Sequence, residues 1–408
     1  MRLVGSTMPR DGAGIVSRLM FPHVVHIING LGRGGAELAL LRLVQDTSPE
    51  LRHTVISLTD IDRLRPNFEA IPGVRVQVIG ARRGRPDPRV LLQCRRAVRD
   101  LAPDVLHAWL PVGWLAGLAS SAFTGGRPLP MTWSVRSTVE GVDLRASERI
   151  ALRVCRAMSN RCSMLVANSH VALRQLTELG FRPRGRCVIH NGVDPIPDTA
   201  IQSVRHAVRR ELGVADGVPV VAFLGRLHPD KGIDLLLQVW ERLRVHRPDA
   251  QLWRIGRNAA AQDRTSSIRA MESDSAVHHI GEVPDPQRYL VAADALVVTS
   301  VRESCPNAVL EAMAVGLPVV TTDVGDVQLL LGGLGKVLAA DPDGMAAALD
   351  GYLRLSGDER TSLGTILRAR IAEHHDPRTV ANRYLSIYMD LLASRSADPV
   401  AGAKHDGA

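Results

Sequence analysis

Aromatic side chains are scarce in this chain: five Phe, five Trp and four Tyr make up 3% of 408 residues. No stretch interleaves them with basic residues. The stacking platform on which single-stranded nucleic acids bind is therefore missing, and no nucleic-acid partner is expected. Lysine is scarcer still. Only Lys231, Lys336 and Lys404 occur, so 47 of the 50 basic residues are arginine. Such a bias reflects composition and can raise the net charge of +8 without a function behind it. Cysteine is limited to Cys94, Cys155, Cys162, Cys187 and Cys305, with no C-x-x-C or other metal-ligand spacing. An odd number of thiols without a secretory signal points to free cysteines in a reducing cytosol. The first 20 residues carry Arg2, Arg10 and Arg18 but no apolar core, and read as a loose tail.

Long apolar runs are also lacking. The longest, Val105–Phe123, is interrupted by His107 and Pro111 and is rich in Gly and Ser. It predicts a strand, a loop and a small-residue helix in place of a membrane span. What is present is a globular composition, 45% hydrophobic and 23% charged, in a chain long enough for two domains. The charge is uneven. Residues 1–200 hold 27 arginines and no lysine against 16 acids, a formal +11, whereas residues 201–408 carry −3. A basic first half suits an anionic partner.

Apolar runs of three to seven residues alternate with helical patterns along the whole chain. In the first half they are Val24–Ile28, Thr54–Leu58, Val74–Ile79, Val105–Ala108, Met131–Val135, Leu165–Ala167 and Cys187–Ile189. In the second they are Val218–Leu224, Gln251–Ile255, Val277–Ile280, Ala295–Thr299 and Val319–Thr322. Strands apolar on both faces and separated by helices predict parallel sheets in an α/β fold. Proline and aspartate gather without periodicity in 191–200, which marks a linker. The expected division is a tail at 1–20, a first domain at 21–196, a second at 197–376, a closing helix at about 377–394 that completes the first domain, and a tail at 395–408. Two open parallel sheets imply a cleft, with ligands bound in the loops after the strands.

Three loops stand out. Gly30-Leu31-Gly32-Arg33-Gly34-Gly35 is a G-x-G-x-x-G between a strand-like and a helix-like run, the context of a dinucleotide fingerprint, with Asp60 and Asp62 about where a ribose-binding acid falls. In "SVRESCPNAVLEAMAVGLPVV" a strand ends at Glu303, Ser304 is the expected N-cap, and a helix runs to Gly316. The free amides near 305–308 make an anion site, and Glu311, about two turns in, can accept both hydrogen bonds of a vicinal diol. In "VVAFLGRLHPDKGIDLLLQVWERL" Arg226 offers a planar fork and Lys231 a mobile charge, enough to neutralise a diphosphate without a metal. Each loop also has a plain structural reading, as a capped helix or a surface turn.

The last two motifs together resemble family 4 of the retaining glycosyltransferases, a family of the GT-B fold with two Rossmann-like parallel-sheet domains facing across a cleft. E-x7-E is present as Glu303 and Glu311, and the second motif is "GRLHPDKGID". "LGRGGAE", "PDVLHAW", "ANSHVALRQL", "VIHNGVD" and "GEVPDPQRYLVAADALVVTS" follow the family's order across roughly residues 21–390. The resemblance implies that Arg226 and Lys231 hold a donor diphosphate. It implies that Glu311 binds the ribose, and that Glu303 with the amides of Asn307, Ala308 and Val309 holds the transferred sugar. Gly34 and Gly35 become the first domain's wall facing the donor. The final helix would cross back onto the first domain.

Departures from the family pattern touch the donor sugar. Ser304 and Cys305 stand where relatives often have Gly and a bulky residue, and Arg136 stands where many carry a histidine. Arg136 and His107 are candidate donor or acceptor contacts. The arginines at 82, 83, 85, 89, 95, 96 and 99 lie largely opposite an apolar stripe of Val90, Leu91, Cys94, Val98 and Leu101. They read either as a solvated face or as a patch docking on an anionic leaflet.

The resemblance implies transfer of a sugar from a UDP-, GDP- or ADP-sugar donor to a glycan or lipid-linked acceptor in polysaccharide, cell-envelope or glycolipid synthesis. No cofactor and no metal are expected, and the expected place is the cytoplasm, peripheral on the inner face of the plasma membrane. Three alternatives remain at this level: a nicotinamide enzyme using the first glycine loop, a metal-dependent transferase using Asp60 and Asp62 or Asp341 and Asp343, and a non-catalytic sugar-nucleotide-binding protein.

Overall fold

The computed structural model describes residues 21–81, 87–121, 129–139, 144–258 and 265–397. The tail at 1–20, the tail from 398 on, and Arg82, Arg83 and Arg85 lie outside the described residues. The described residues form two compact units. One takes the chain up to Ala167, Leu173–Ile189 and the residues from Ala381 on; the other takes Asn168–Ala172 and His190–Val380. Relative to the expected division, 168–172 and 190–196 therefore pack with the second unit.

The first unit alternates strand and helix: β1 (His23–Ile28), α1 (Gly35–Thr47), β2 (Arg52–Thr59), α2 (Arg65–Glu69), β3 (Arg75–Ala81), α3 (Pro88–Leu101), β4 (Val105–Trp109), α4 (Leu110–Ser121), β5 (Met131–Val135), α5 (Ala146–Ala157), β6 (Met164–Ala167), α6 (His170–Glu178, whose first three residues belong to the second unit) and β7 (Gly185–Val188). All its strand pairs are parallel, in the order β3-β2-β1-β4-β5-β6-β7. β1, β4 and β5 are buried at every position, which is why they read as unbroken apolar runs and not as alternating ones. The chain starts mid-sheet, winds outward to β3 and returns to β4, so the winding direction switches between β1 and β4. The loop expected after the fourth strand is absent. α4 begins at Leu110, whose φ of 65° turns the chain in one residue. A left-handed leucine costs on the order of 1–2 kcal/mol, which the buried β4 and the helix packed on it must offset.

The second unit repeats the plan: α7 (Asp198–Glu211), β8 (Val220–Leu224), α8 (Ile233–His246), β9 (Gln251–Ile255), α9 (Ser266–Ser273), β10 (Val277–Gly281), α10 (Gln287–Leu290), β11 (Ala295–Val298), α11 (Asn307–Ala314), β12 (Val319–Thr322), α12 (Val327–Leu331), β13 (Lys336–Leu338), α13 (Pro342–Leu353) and α14 (Gly357–His374). The last helix, α15 (Pro377–Ala397), starts in the second unit and belongs to the first from Ala381 on. Its parallel order is β10-β9-β8-β11-β12-β13, with the switch between β8 and β11. One core packs α11 and α12 against β8, β9 and β11, and a second packs α8 and α13 on the opposite face. β13 was not expected from sequence; three residues on a half-exposed edge are too few to show a period. At the start of β11, Asp294 is nearly fully buried. Its carboxylate accepts from Arg205 at 2.6 Å, Arg209 at 2.9 Å, the Val220 amide at 2.8 Å and Arg360.

No helix among the described residues is long and apolar enough to cross a membrane.

Candidate functional site

Ligands of doubly wound sheets bind beyond the carboxyl ends of the strands, at the switch point. In the second unit that place is framed by the loops after β8 and β11. The first runs through Arg226 into a single 3-10 turn, Pro229–Lys231, and closes at Gly232. Gly232 has φ 62°, and a Cβ there would collide with the Thr299 carbonyl, so only glycine lets this loop lie on the end of β11. Thr299 Oγ1 then donates to the Lys231 carbonyl at 2.9 Å. The outcome is a contact between residues 72 positions apart: Lys231 Nζ lies 2.5 Å from Glu303 Oε1. Ser300 Oγ donates to the same oxygen at 2.9 Å. Both charged side chains remain partly open, Lys231 at 24% and Glu303 at 16%.

A second pair, Arg302 with Asp230, lies in the same loops. Burial works to raise the Asp230 carboxyl, but the bond and charge of Arg302, with His228 and Arg226 nearby, hold it below the usual carboxylate range. Arg226 is exposed. The site thus carries three cationic groups, Arg226, Lys231 and Arg302, around two carboxylates. That balance suits a ligand with both phosphate and hydroxyl groups.

α11 presents its N-terminus from the same loop. The expected N-cap is corrected: Pro306 occupies the N-cap position with no side-chain capping bond, and the Ser304 hydroxyl is used elsewhere, 2.6 Å from Asn168 Oδ1 and 2.7 Å from Ser169 Oγ. The three-residue offset needed to reach a helix amide is spent on a neighbouring segment instead. Asn307 Oδ1 accepts from Asn191 Nδ2, and the Val309 amide donates to the Pro306 carbonyl at 3.1 Å. Glu311, half-buried, lies one turn further along α11. The positive end of the helix dipole points to the loop that carries Glu303.

A cavity of about 460 Å³ adjoins these loops, lined in part by Pro229, Gly232, Ile233, Thr299, Ser300 and Thr322. Lys231, Glu303 and Glu311 are not in its wall, so it is a separate hollow.

In the first unit the glycine loop sits at the switch point, as a dinucleotide reading requires. Gly34 caps α1 and Gly35 begins it. However, the Glu37 carboxylate is folded against Gly34, in the space a Cβ would take. A pyrophosphate at this helix start would meet a carboxylate, which counts against the nicotinamide reading. Asp60 and Asp62 are exposed loop acids. Asp341 caps α13 through the Asp343 and Gly344 amides, and Asp343 pairs with Arg242 at 2.6 Å, so neither is arranged as a metal ligand.

His107 needs a correction as a ligand contact. It has no exposed surface, and both ring nitrogens are engaged, Nδ1 with Tyr388 Oη at 2.6 Å and Nε2 with Ser134 Oγ at 2.8 Å. Burial, then the charge of Arg136, pushes its pKa well below the ordinary value, so it is a neutral packing residue. Arg136 is half-buried, 3.3 Å from Tyr384 Oη and stacked over Trp109.

Sequence reasoning missed one cluster altogether. His170 Nδ1 and His190 Nε2 lie 2.9 and 2.8 Å from the same oxygen of Asp326, which also takes the His170 amide at 2.7 Å. Burial favours the neutral acid, but these bonds outweigh it and bring the Asp326 pKa down to about 2. The three residues come from three segments, and no local spacing links them.

Comparison with known proteins agrees with this geometry. The family description Glycosyltransferase Family 4 matches residues 23–196, and Glycosyl transferases group 1 matches residues 218–354. A putative teichuronic acid biosynthesis glycosyltransferase, TuaC, of Bacillus subtilis is 28% identical over 66% of this chain and 64% of its own length. A D-inositol 3-phosphate glycosyltransferase of Geodermatophilus obscurus is 32% identical over 61% of this chain and 59% of its own. The chain thus spans less than two thirds of either relative. Among solved structures, HepE of Anabaena in complex with UDP and glucose has a TM-score of 0.74 at 19% identity, covering 90% of this chain and 99% of that one. A sucrose-phosphate synthase of Thermosynechococcus elongatus has a TM-score of 0.73 at 19% identity, covering 91% and 100%. The two matches, the two parallel sheets and the E-x7-E loop agree: the chain belongs to glycosyltransferase family 4 and has the GT-B fold.

Proposed function

We propose that the chain transfers a hexosyl group from a nucleotide-diphosphate sugar to a hydroxyl of a glycan or lipid-linked acceptor, with retention at the anomeric carbon and no metal at the reacting centre. The observation that carries this reading is the Lys231–Glu303 pair at the switch point of the second sheet. Lys231 and Arg226 stabilise the departing diphosphate, which is where negative charge develops in the transition state. Glu303 holds hydroxyls of the transferred sugar, and Glu311 takes the ribose diol. The acceptor oxygen attacks on the face the diphosphate leaves. The C–O bond to phosphate breaks as the new glycosidic bond forms, and the acceptor proton passes to the leaving phosphate. No protein nucleophile is required. Glu303 holds the Lys231 ammonium at the site, and an incoming phosphate takes over that charge.

HepE binds UDP and UDP-glucose, so UDP-glucose is the first donor to test. A thermal-shift panel of UDP-, GDP- and ADP-sugars identifies the donor, and nucleotide release with candidate acceptors measures turnover. Lys231→Ala and Glu303→Ala should each nearly abolish transfer; wild-type rates in both would refute the assignment. Donor binding without turnover on any acceptor would favour the non-catalytic reading.

A place on the inner face of the plasma membrane fits α3. Arg89, Arg96 and Arg99 are exposed there, while Cys94, Ala97 and Val98 are buried. Binding to anionic vesicles that weakens with salt supports it, and equal binding to neutral vesicles removes it.

A further inference from the structure

We infer that His170, His190 and Asp326 form a binding site for one zinc-class divalent cation, placed beside the Glu303 loop and outside the reaction. The donor set is two imidazole nitrogens and a carboxylate oxygen, with all three atoms within 4.8 Å of one another. Two nitrogens and an oxygen are what a borderline cation such as Zn²⁺ takes in a tetrahedral site, with water as the fourth ligand. Bond lengths of about 2.0–2.2 Å place neighbouring ligands roughly 3.3 Å apart. The observed separations from Asp326 Oδ2 are 2.9 and 2.8 Å, so small ring rotations suffice to admit the ion.

The surroundings are those of a built site. The Asp326 side chain is 2% exposed and is held from behind: the His170 amide donates to Oδ2, and the Val171 amide donates to Oδ1 at 3.2 Å. A carboxylate fixed by such bonds does not have to be ordered when the metal arrives. His190 is flanked by the His375 ring. His170 is 57% exposed, which leaves a route in and room for water.

The site has a consequence for the loop next to it. The Asp326 amide donates to the Ser304 carbonyl at 3.1 Å, and Ser304 directly follows Glu303. An ion that ties the start of α6, the loop after β7 and the start of α12 together would hold this loop in one conformation. The inference does not depend on which donor or acceptor the protein uses.

The test uses the full chain without a polyhistidine tag, stripped with a chelator and desalted. Zn²⁺ is titrated by calorimetry, and Co²⁺ is followed by its visible absorption, which reports four-coordinate nitrogen and oxygen ligation. One ion per chain with a Kd of about 1 µM or tighter is expected. His170→Ala, at an exposed position that tolerates truncation, and His190→Ala should each weaken binding by at least about tenfold. Absence of binding at micromolar Zn²⁺, or binding unchanged in both variants, would overturn the proposal; the first outcome leaves only a hydrogen-bonded carboxylate, and the second assigns the ion to other histidines. These readouts are independent of transfer activity, so failure here and failure of the glycosyltransferase reading are distinguishable.

Discussion

The second sheet has a carboxylate among cations at each end, and the two are built differently. At the amino end Asp294 is enclosed by Arg205, Arg209, Arg360 and the Val220 amide, with both oxygens occupied. Arg209 is itself 1% exposed and spends its remaining donors on the carbonyls of Ala215, Asp216, Val218 and Ala292. At the carboxyl end Glu303 meets Lys231 and Ser300 through one oxygen, and both charged groups touch solvent. A charge whose partners are all internal holds a fold together and has nothing left for a ligand. A charge with one exchangeable partner and an open side can trade that partner for substrate.

The contrast can be broken or sharpened by measurement. Asp294→Ala leaves the buried Arg209 and the half-buried Arg205 and Arg360 without their counter-charge and should cost about 3–5 kcal/mol of stability in chemical denaturation. Lys231→Ala should do the reverse, lowering transfer by a factor on the order of 10²–10³ while stability changes by less than about 1 kcal/mol. If Lys231→Ala unfolds the protein as Asp294→Ala does, the distinction between the two ends fails.

A third measurement extends the comparison to the first unit, where buried histidines bond to one another and to hydroxyls. His53 bonds His26 at 3.0 Å and Thr47 at 3.0 Å, and burial brings its pKa down to about 4. A depressed folded pKa means the unfolded chain binds the proton first. The contribution to stability is complete above pH about 6.5 and is lost as pH falls toward 4, roughly 3 kcal/mol for this group. Burial also holds His26 and His107 well below the ordinary histidine value, so they act in the same direction. Denaturation midpoints at pH 7 and pH 4.5 check this, and equal midpoints would mean that the histidines are not neutral and buried. The smallest effect is expected for Ser300→Ala, which removes one of the two bonds to Glu303. A loss of about 0.5–1.5 kcal/mol corresponds to a roughly two- to tenfold slower transfer at unchanged stability.

Much of the fold was legible because parallel strands buried on both faces are short apolar runs, and their helices repeat at a local period. All twelve expected runs overlap observed strands. The thirteenth, Lys336–Leu338, escaped because an edge strand of three residues has neither length nor pattern. The loop with Glu303 and Glu311 and the loop with Arg226 and Lys231 were also legible, as motifs on contiguous stretches. Ser304 was misassigned as a cap, and His107 as a ligand contact, because a local window does not show which distant group reaches a side chain first.

By itself, then, the sequence determined the element types, their alternation and the residues at the two chemical loops, all properties of neighbours along the chain. Tertiary structure alone decided the strand order that puts β8 beside β11, and with it the meeting of Lys231 and Glu303 across 72 residues. It alone joined His107 to Tyr388 across 281 residues, and His170 and His190 to Asp326. Such contacts are set by how whole elements pack, and packing between distant segments leaves no period or spacing to read.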